Sequence, residues 1–117
     1  MKIKIHYMPP NWNDYINAER TNKYIASKIK QDEKRIMMYL CKGTKYDGSY
    51  PVEISFRPHY LAYRQDLDNF RYKGILDGLV TAGVLKNDNL KCIKKISLEA
   101  VVDGESYIDI EIKPYEE

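Results

Sequence analysis

The stretch VEISFRPHYLAYRQDLDNFRYKGILDGLV, Val52 to Val80, decides how the chain folds, because the period of its apolar residues changes midway. Val52, Ile54 and Phe56 alternate with Glu53, Ser55 and Arg57, the two-residue period of a strand with one buried face. Pro58 interrupts that pattern, and the extended chain resumes through His59–Tyr63 toward Asp66. Tyr72, Ile75, Leu76, Leu79 and Val80 then follow the i, i+3, i+4, i+7, i+8 stripe of an amphipathic helix. Asp68 or Asn69 is placed to cap this helix, and Gly83 to close it.

Upstream, Lys2–Tyr7 alternates Ile3 and Ile5 with polar residues, a short strand ended by Pro9-Pro10. From about Glu19 to Cys41 a helix is expected, because Ala18, Ile25, Ile29, Ile36 and Leu40 recur at intervals of seven and four, with a stop at Gly43. Downstream, Ile96, Leu98, Ala100 and Val102 alternate with polar residues. Asp103-Gly104 then predicts a hairpin turn into a returning strand of Ile108, Ile110 and Ile112. The order β-α-β-α-β-β predicts an α+β fold, a mixed sheet of about four strands with two helices packed on it.

No repeat or linker divides the 117 residues, so residues 1–117 are expected to form a single domain. With 44% hydrophobic and 31% charged residues the composition is that of a globular protein, not a disordered tail. Cys41 and Cys92 stand far apart and outside any CxxC pattern. They argue against a disulfide framework or a zinc site and for plain buried thiols in a cytoplasmic protein. The opening MKIKIHYMPP has no apolar signal-peptide core, and no run is long enough to span a membrane. Charge is segregated. Residues 20–45 carry eight Lys/Arg against two Asp/Glu, a balance of +6, and Glu99–Glu117 carry seven acids against one lysine, a balance of −6. The basic half suits a phosphate backbone, or simply a solvated helix face.

The chemistry concentrates at Asp66-Leu67-Asp68-Asn69. Residues i and i+2 of an extended segment point to one side, so both carboxylates can meet one cation, and hard oxygen ligands suit Mg²⁺ or Mn²⁺. Taken alone, the segment is as readily an Asx turn with a helix cap as a metal site. Asn87-Asp88-Asn89 offers another carboxylate, though Asn and Asp also favour turns. Lys73 shares a helix face with Asn69 and Asp77. His6 and His59 lack any HxxxH or HExxH spacing and receive no catalytic role. Phosphate-cradling glycine loops, GxSxG elbows and Cys/His nucleophile patterns are absent from the sequence.

Asp66-Leu67-Asp68-Asn69, Lys73, Ile75-Leu76-Asp77-Gly78-Leu79, Ala82-Gly83-Val84 and Asn87-Asp88 together resemble the signature block of RusA-like Holliday junction resolvases. Pro9-Pro10-x-x-Asn13 is similar to that family's N-terminal Pro-Pro segment. The likeness covers about Arg64–Ile93 closely and the rest through element order. It implies a homodimeric, Mg²⁺-dependent endonuclease of phage or prophage type that cuts four-way DNA junctions in recombination and repair. Carried over by position, Asp66, Asp68 and Asp88 become the metal-binding catalytic acids and Lys73 the phosphate-contacting lysine, with Asn69 and Asp77 in supporting roles. Lys28, Lys30, Lys34, Arg35, Arg64, Lys91, Lys94 and Lys95 would hold the DNA arms without reading bases.

Two departures from the family pattern matter. Asn87 leaves only one carboxylate in the usual acidic pair, and Lys73 stands five residues after Asp68 where the family places it four after. Lys73 keeps its place if the extra residue precedes the first helical turn; otherwise Arg71 substitutes. A helix from Asn69 to Ala82 would span roughly 21 Å, and the six residues to Asp88 reach only about 20 Å. Asp88 therefore needs a taut link, a shorter or bent helix, or the acids of a partner subunit. A nuclease for flaps or forks, a non-catalytic branched-DNA-binding dimer, and a structural α+β protein whose acids are only caps and turns are the rival expectations.

Overall fold

The computed structural model describes residues 1–116. In chain order the elements are β1 (Lys2–Ile5), α1 (Trp12–Thr21), α2 (Lys23–Leu40), β2 (Val52–Tyr60), a 3-10 turn (Leu67–Asn69), α3 (Tyr72–Thr81), β3 (Ile93–Leu98), β4 (Val101–Val102) and β5 (Tyr107–Pro114). The fold is α+β with one mixed sheet, as expected. It has three α-helices and five strands where the sequence predicts two and about four.

The sheet order is β1-β5-β2-β3, with β4 also on β2. β2 runs parallel to β3 and β4 and antiparallel to β5, which is antiparallel to β1. β2-α3-β3 is thus a crossover unit, the connection that parallel neighbours require. The inner face is set by alternation: Ile5, Val52, Ile54, Phe56, Ile108, Ile110 and Ile112 are all buried, against Met37, Ile75 and Leu79 of the helices. A one-residue slip of β2 would turn this whole set outward, which fixes the register. The alternate residues on the other face pair charges across strands: Arg57 with Glu99 at 3.0 Å, Lys113 with Glu53 at 3.2 Å and Lys2 with Glu111 at 3.8 Å. Of the seven C-terminal acids, Glu99 and Glu111 are paired there.

Three expectations are corrected. The helix expected over Glu19–Cys41 is two, divided at Asn22, whose extended backbone (φ −159°, ψ 116°) ends α1 while its side chain accepts from the Tyr24 N–H to start α2. Asparagine competes with helical hydrogen bonding in this way, and apolar spacing does not register it. The buried stripe of α2 is Ala26, Glu33 and Met37, not Ile25, Ile29, Ile36 and Leu40, because α3 presses on it through two glycines: a Cβ at Gly74 would overlap the Glu33 carboxylate, and one at Gly78 the Met37 side chain.

Asp103-Gly104 does turn the chain, with Gly104 at φ +77°, yet it makes no hairpin. β4 and β5 lie on opposite sides of β2, and the turn passes over the end of that strand, where Asp103 and Gly104 donate to the Tyr60 carbonyl at 3.3 Å. β3 and β4 are separate because the ladder breaks after Phe56↔Leu98 and resumes at His59↔Val101. Pro58, with no N–H to donate, lies opposite that gap.

Candidate active site

β2 delivers the chain into residues 61–66, and Asp66 is still extended (φ −85°, ψ 140°). The backbone then closes a 3-10 turn, Asn69 N–H to Asp66 O at 3.0 Å and Phe70 N–H to Leu67 O at 3.1 Å. Asp68 therefore sits inside a turn, and the i, i+2 geometry of an extended segment does not describe the pair. Nor does either acid cap a helix. The turn has no side-chain cap, and α3 starts at Tyr72, later than Asp68 or Asn69 would begin it, flanked by Arg71 with no side-chain cap either. Both carboxylates are exposed, and neither joins an ion pair among the described residues. Among the described residues no three of His, Cys, Asp and Glu form a group that could hold a metal ion. Carboxylate oxygens completed by substrate phosphates and water are the usual Mg²⁺ arrangement, so Asp66 and Asp68 have the donor chemistry for that cation.

Lys73 is the second residue of α3, so the extra residue relative to the family spacing lies before the helix. Its ammonium donates to Asp77 Oδ1 at 3.2 Å, one turn on, and lies 3.7 Å from Asp88 Oδ2. The hydrogen bond to Asp77, reinforced by the charges of Asp77 and Asp88, raises the Lys73 pKa above its ordinary value. Asp88 reaches Lys73 within the same chain because α3 is shorter than expected, but among the described residues it does not join Asp66 and Asp68 in a three-acid group. Ten residues span about 15 Å. Gly83 (φ +83°) closes the helix as predicted, and buried Val84 and Leu85 anchor the returning link. Asn87 serves that link, its side chain accepting the Asp88 N–H at 2.7 Å.

Arg71 is not the substitute for Lys73. It is 3% exposed and ion-paired with Glu33, itself buried; its Nε donates to the Pro10 carbonyl at 3.0 Å and its guanidinium lies 4.7 Å from the Tyr15 ring centroid. Tyr7 donates to the same Glu33 carboxylate at 3.3 Å, and burial first, then the Glu33 charge, pushes its pKa up. Asn69 accepts the Asn13 N–H at 3.1 Å, satisfying one of the free amides in the first turn of α1. The Pro9-Pro10 segment and Asn13 thus dock on the junction between the acidic turn and α3, so residues far apart in the motif form one body.

Of the eight cations expected to hold DNA arms, Lys30 and Lys34 of α2 share a groove with Lys73. Lys95 lies on the outer sheet face, 3.8 Å from Glu53, because a ladder irregularity shifts it into register with that residue.

His59, given no catalytic role from the sequence, is buried and held in place. Its buried ring is held by Asp103 Oδ2 at 2.7 Å on Nδ1 and Asp109 Oδ2 at 2.8 Å on Nε2, and it stacks on Tyr107 with centroids 3.9 Å apart. Burial opposes its charge, but the two carboxylate hydrogen bonds outweigh burial and raise its pKa. Those partners are 44 and 50 residues away, so no local spacing could reveal them. Cys41 and Cys92 are free thiols, and among the described residues no helix is long and apolar enough to cross a membrane.

No family model matches the chain, and no curated protein sequence matches it.

Proposed function

We propose that the chain is a divalent-cation-dependent endonuclease of the RusA-like type, cutting four-way DNA junctions in recombination or repair and acting as a homodimer. The observation that carries this reading is the 3.7 Å approach of Lys73 to Asp88, two motif residues brought together within one chain. Asp66 and Asp68 would hold Mg²⁺ or Mn²⁺. The bound cation supplies Lewis acidity toward the phosphodiester. Lys73, kept charged by Asp77 and Asp88, stabilises the negative charge that builds on the phosphate oxygens. Asp88 aims Lys73 and is proposed as the third acid, although no three acids group within one chain among the described residues. Mixing Asp68→Asn protein with Asp88→Asn protein tests whether it serves its own chain or a partner, since a shared site regains activity in heterodimers.

A non-catalytic dimer that only binds branched DNA is the second reading. Asn87 favours it, because the position holds an amide engaged in a turn. Titrating Mn²⁺ into the protein with a four-way junction bound tests the metal role. The proposal expects saturable uptake that Asp66→Asn and Asp68→Asn lose; equal uptake by wild type and both variants would remove it.

A further inference from the structure

The groove between α2 and α3, about 220 Å³, is built for more than one lysine. Its floor is the buried Glu33–Arg71 pair, whose charges cancel. Lys30 and Lys34 stand on its rim four residues apart, hence on one face of α2, and Lys73 faces them from α3. Lys73 is paired with carboxylates, but neither Lys30 nor Lys34 joins an ion pair among the described residues. With four cations (Lys30, Lys34, Arg71, Lys73) and two carboxylates (Glu33, Asp77) lining it, the groove carries a net +2. Trp12, the sequence's single tryptophan and the first residue of α1, lines the same groove half-buried.

Lysines without carboxylate partners, Lys30 with its ammonium 5.7 Å from the Tyr15 ring centroid, beside a half-buried indole match the two parts of a nucleotide, a phosphodiester for the charges and a base for the ring. A base within a duplex is stacked on both sides and has no face to offer. We propose that this groove binds an unpaired nucleotide, its phosphate on Lys30 and Lys34 and its base stacked on Trp12. The inference rests on the nuclease reading and narrows its substrate class to branched DNA with single-stranded character at the branch, such as a fork, a flap or a frayed junction.

The test is made in EDTA, where cutting plays no part, so the binding result stands apart from any failure of catalysis. A short oligothymidylate is titrated while Trp12 emission is followed, beside an abasic strand of equal length and charge. Saturable quenching by the oligothymidylate, absent with the abasic strand, is expected. Lys30→Ala/Lys34→Ala should weaken binding about tenfold and reduce the steepness of log affinity against log salt by about 0.7, the loss of one phosphate contact on a single strand. Lys42→Ala/Lys45→Ala, with equal charge loss at exposed lysines that do not line the groove, should change the affinity far less. Absence of saturable quenching, equal quenching by the abasic strand, or equal weakening by the two lysine pairs overturns the proposal.

Discussion

Asp88 Oδ2 lies 3.7 Å from Lys73 Nζ, although the chain between them runs out along α3 and returns past Gly83. Residues joined in this way act as a unit, so their losses should not multiply. Lys73→Met is expected to lower the cleavage rate about 10²-fold, the scale of losing one charge-stabilising donor. Asp88→Asn should cost at least as much, and the double variant little more than the worse single one. Single-turnover rates on a four-way junction measure this, and fully multiplicative losses would mean the two side chains work independently.

Arg71 is predicted to matter for stability and not for phosphate contact. Arg71→Ala leaves the Glu33 carboxylate buried without its partner, which costs about 3–5 kcal/mol. Glu33→Met/Arg71→Met should recover much of that loss by removing both charges. Urea unfolding curves decide the matter; a double variant less stable than Arg71→Ala would contradict the account.

Gly78 allows α3 to sit on Met37 of α2. Gly78→Ala forces a methyl into that contact and should destabilise by about 1–3 kcal/mol, despite alanine's higher helix propensity. Thermal unfolding of Gly78→Ala alone and with Met37→Ala checks it. The smaller partner side chain should make the added methyl less costly, and an identical penalty in both backgrounds would point elsewhere.

The Asp103–His59–Asp109 clamp makes stability depend on pH. Both ring nitrogens face carboxylates, an arrangement that only the charged imidazole satisfies by donating twice. Because the folded-state pKa of His59 is raised from 6.5, its contribution is full below 6.5 and is lost as pH climbs through the raised value. Asp103 is the opposite case. Its hydrogen bond from His59 lowers its pKa from 3.8, so its contribution is present above 3.8 and lost as pH falls through the lowered value. Denaturant titrations of wild type and His59→Gln between pH 5 and about 9 should show an alkaline decline in wild type that the variant lacks. Parallel curves would sink the assignment.

The sheet and α3 are legible in the sequence because Val52–Phe56, Ile108–Ile112 and Tyr72–Val80 bury side chains at the period of their own element. What spacing does not reveal depends on partners distant in the chain. The buried face of α2 is set by Gly74 and Gly78, and by a glutamate that only Arg71 makes tolerable inside. β5 crosses to the far side of β2, so Asp103-Gly104 has the chemistry of a hairpin without its pairing. At the site, the Lys73–Asp77 step could be read from helical spacing, whereas the return of Asp88 required the real length of α3. The roles of Arg71 and His59 rest on burial, which composition does not encode.

The central claim is that Asp66 and Asp68 make this chain a metal-dependent nuclease, and cleavage of labelled four-way, forked and linear DNA tests it most directly. With Mg²⁺ or Mn²⁺ the wild type is predicted to cut branched substrates and spare the linear duplex. EDTA should abolish the cutting, and Asp68→Asn should bind the junction yet leave it whole. A wild type that binds junctions and cuts none with either cation, or an Asp68→Asn variant that cuts at the wild-type rate, would contradict the account.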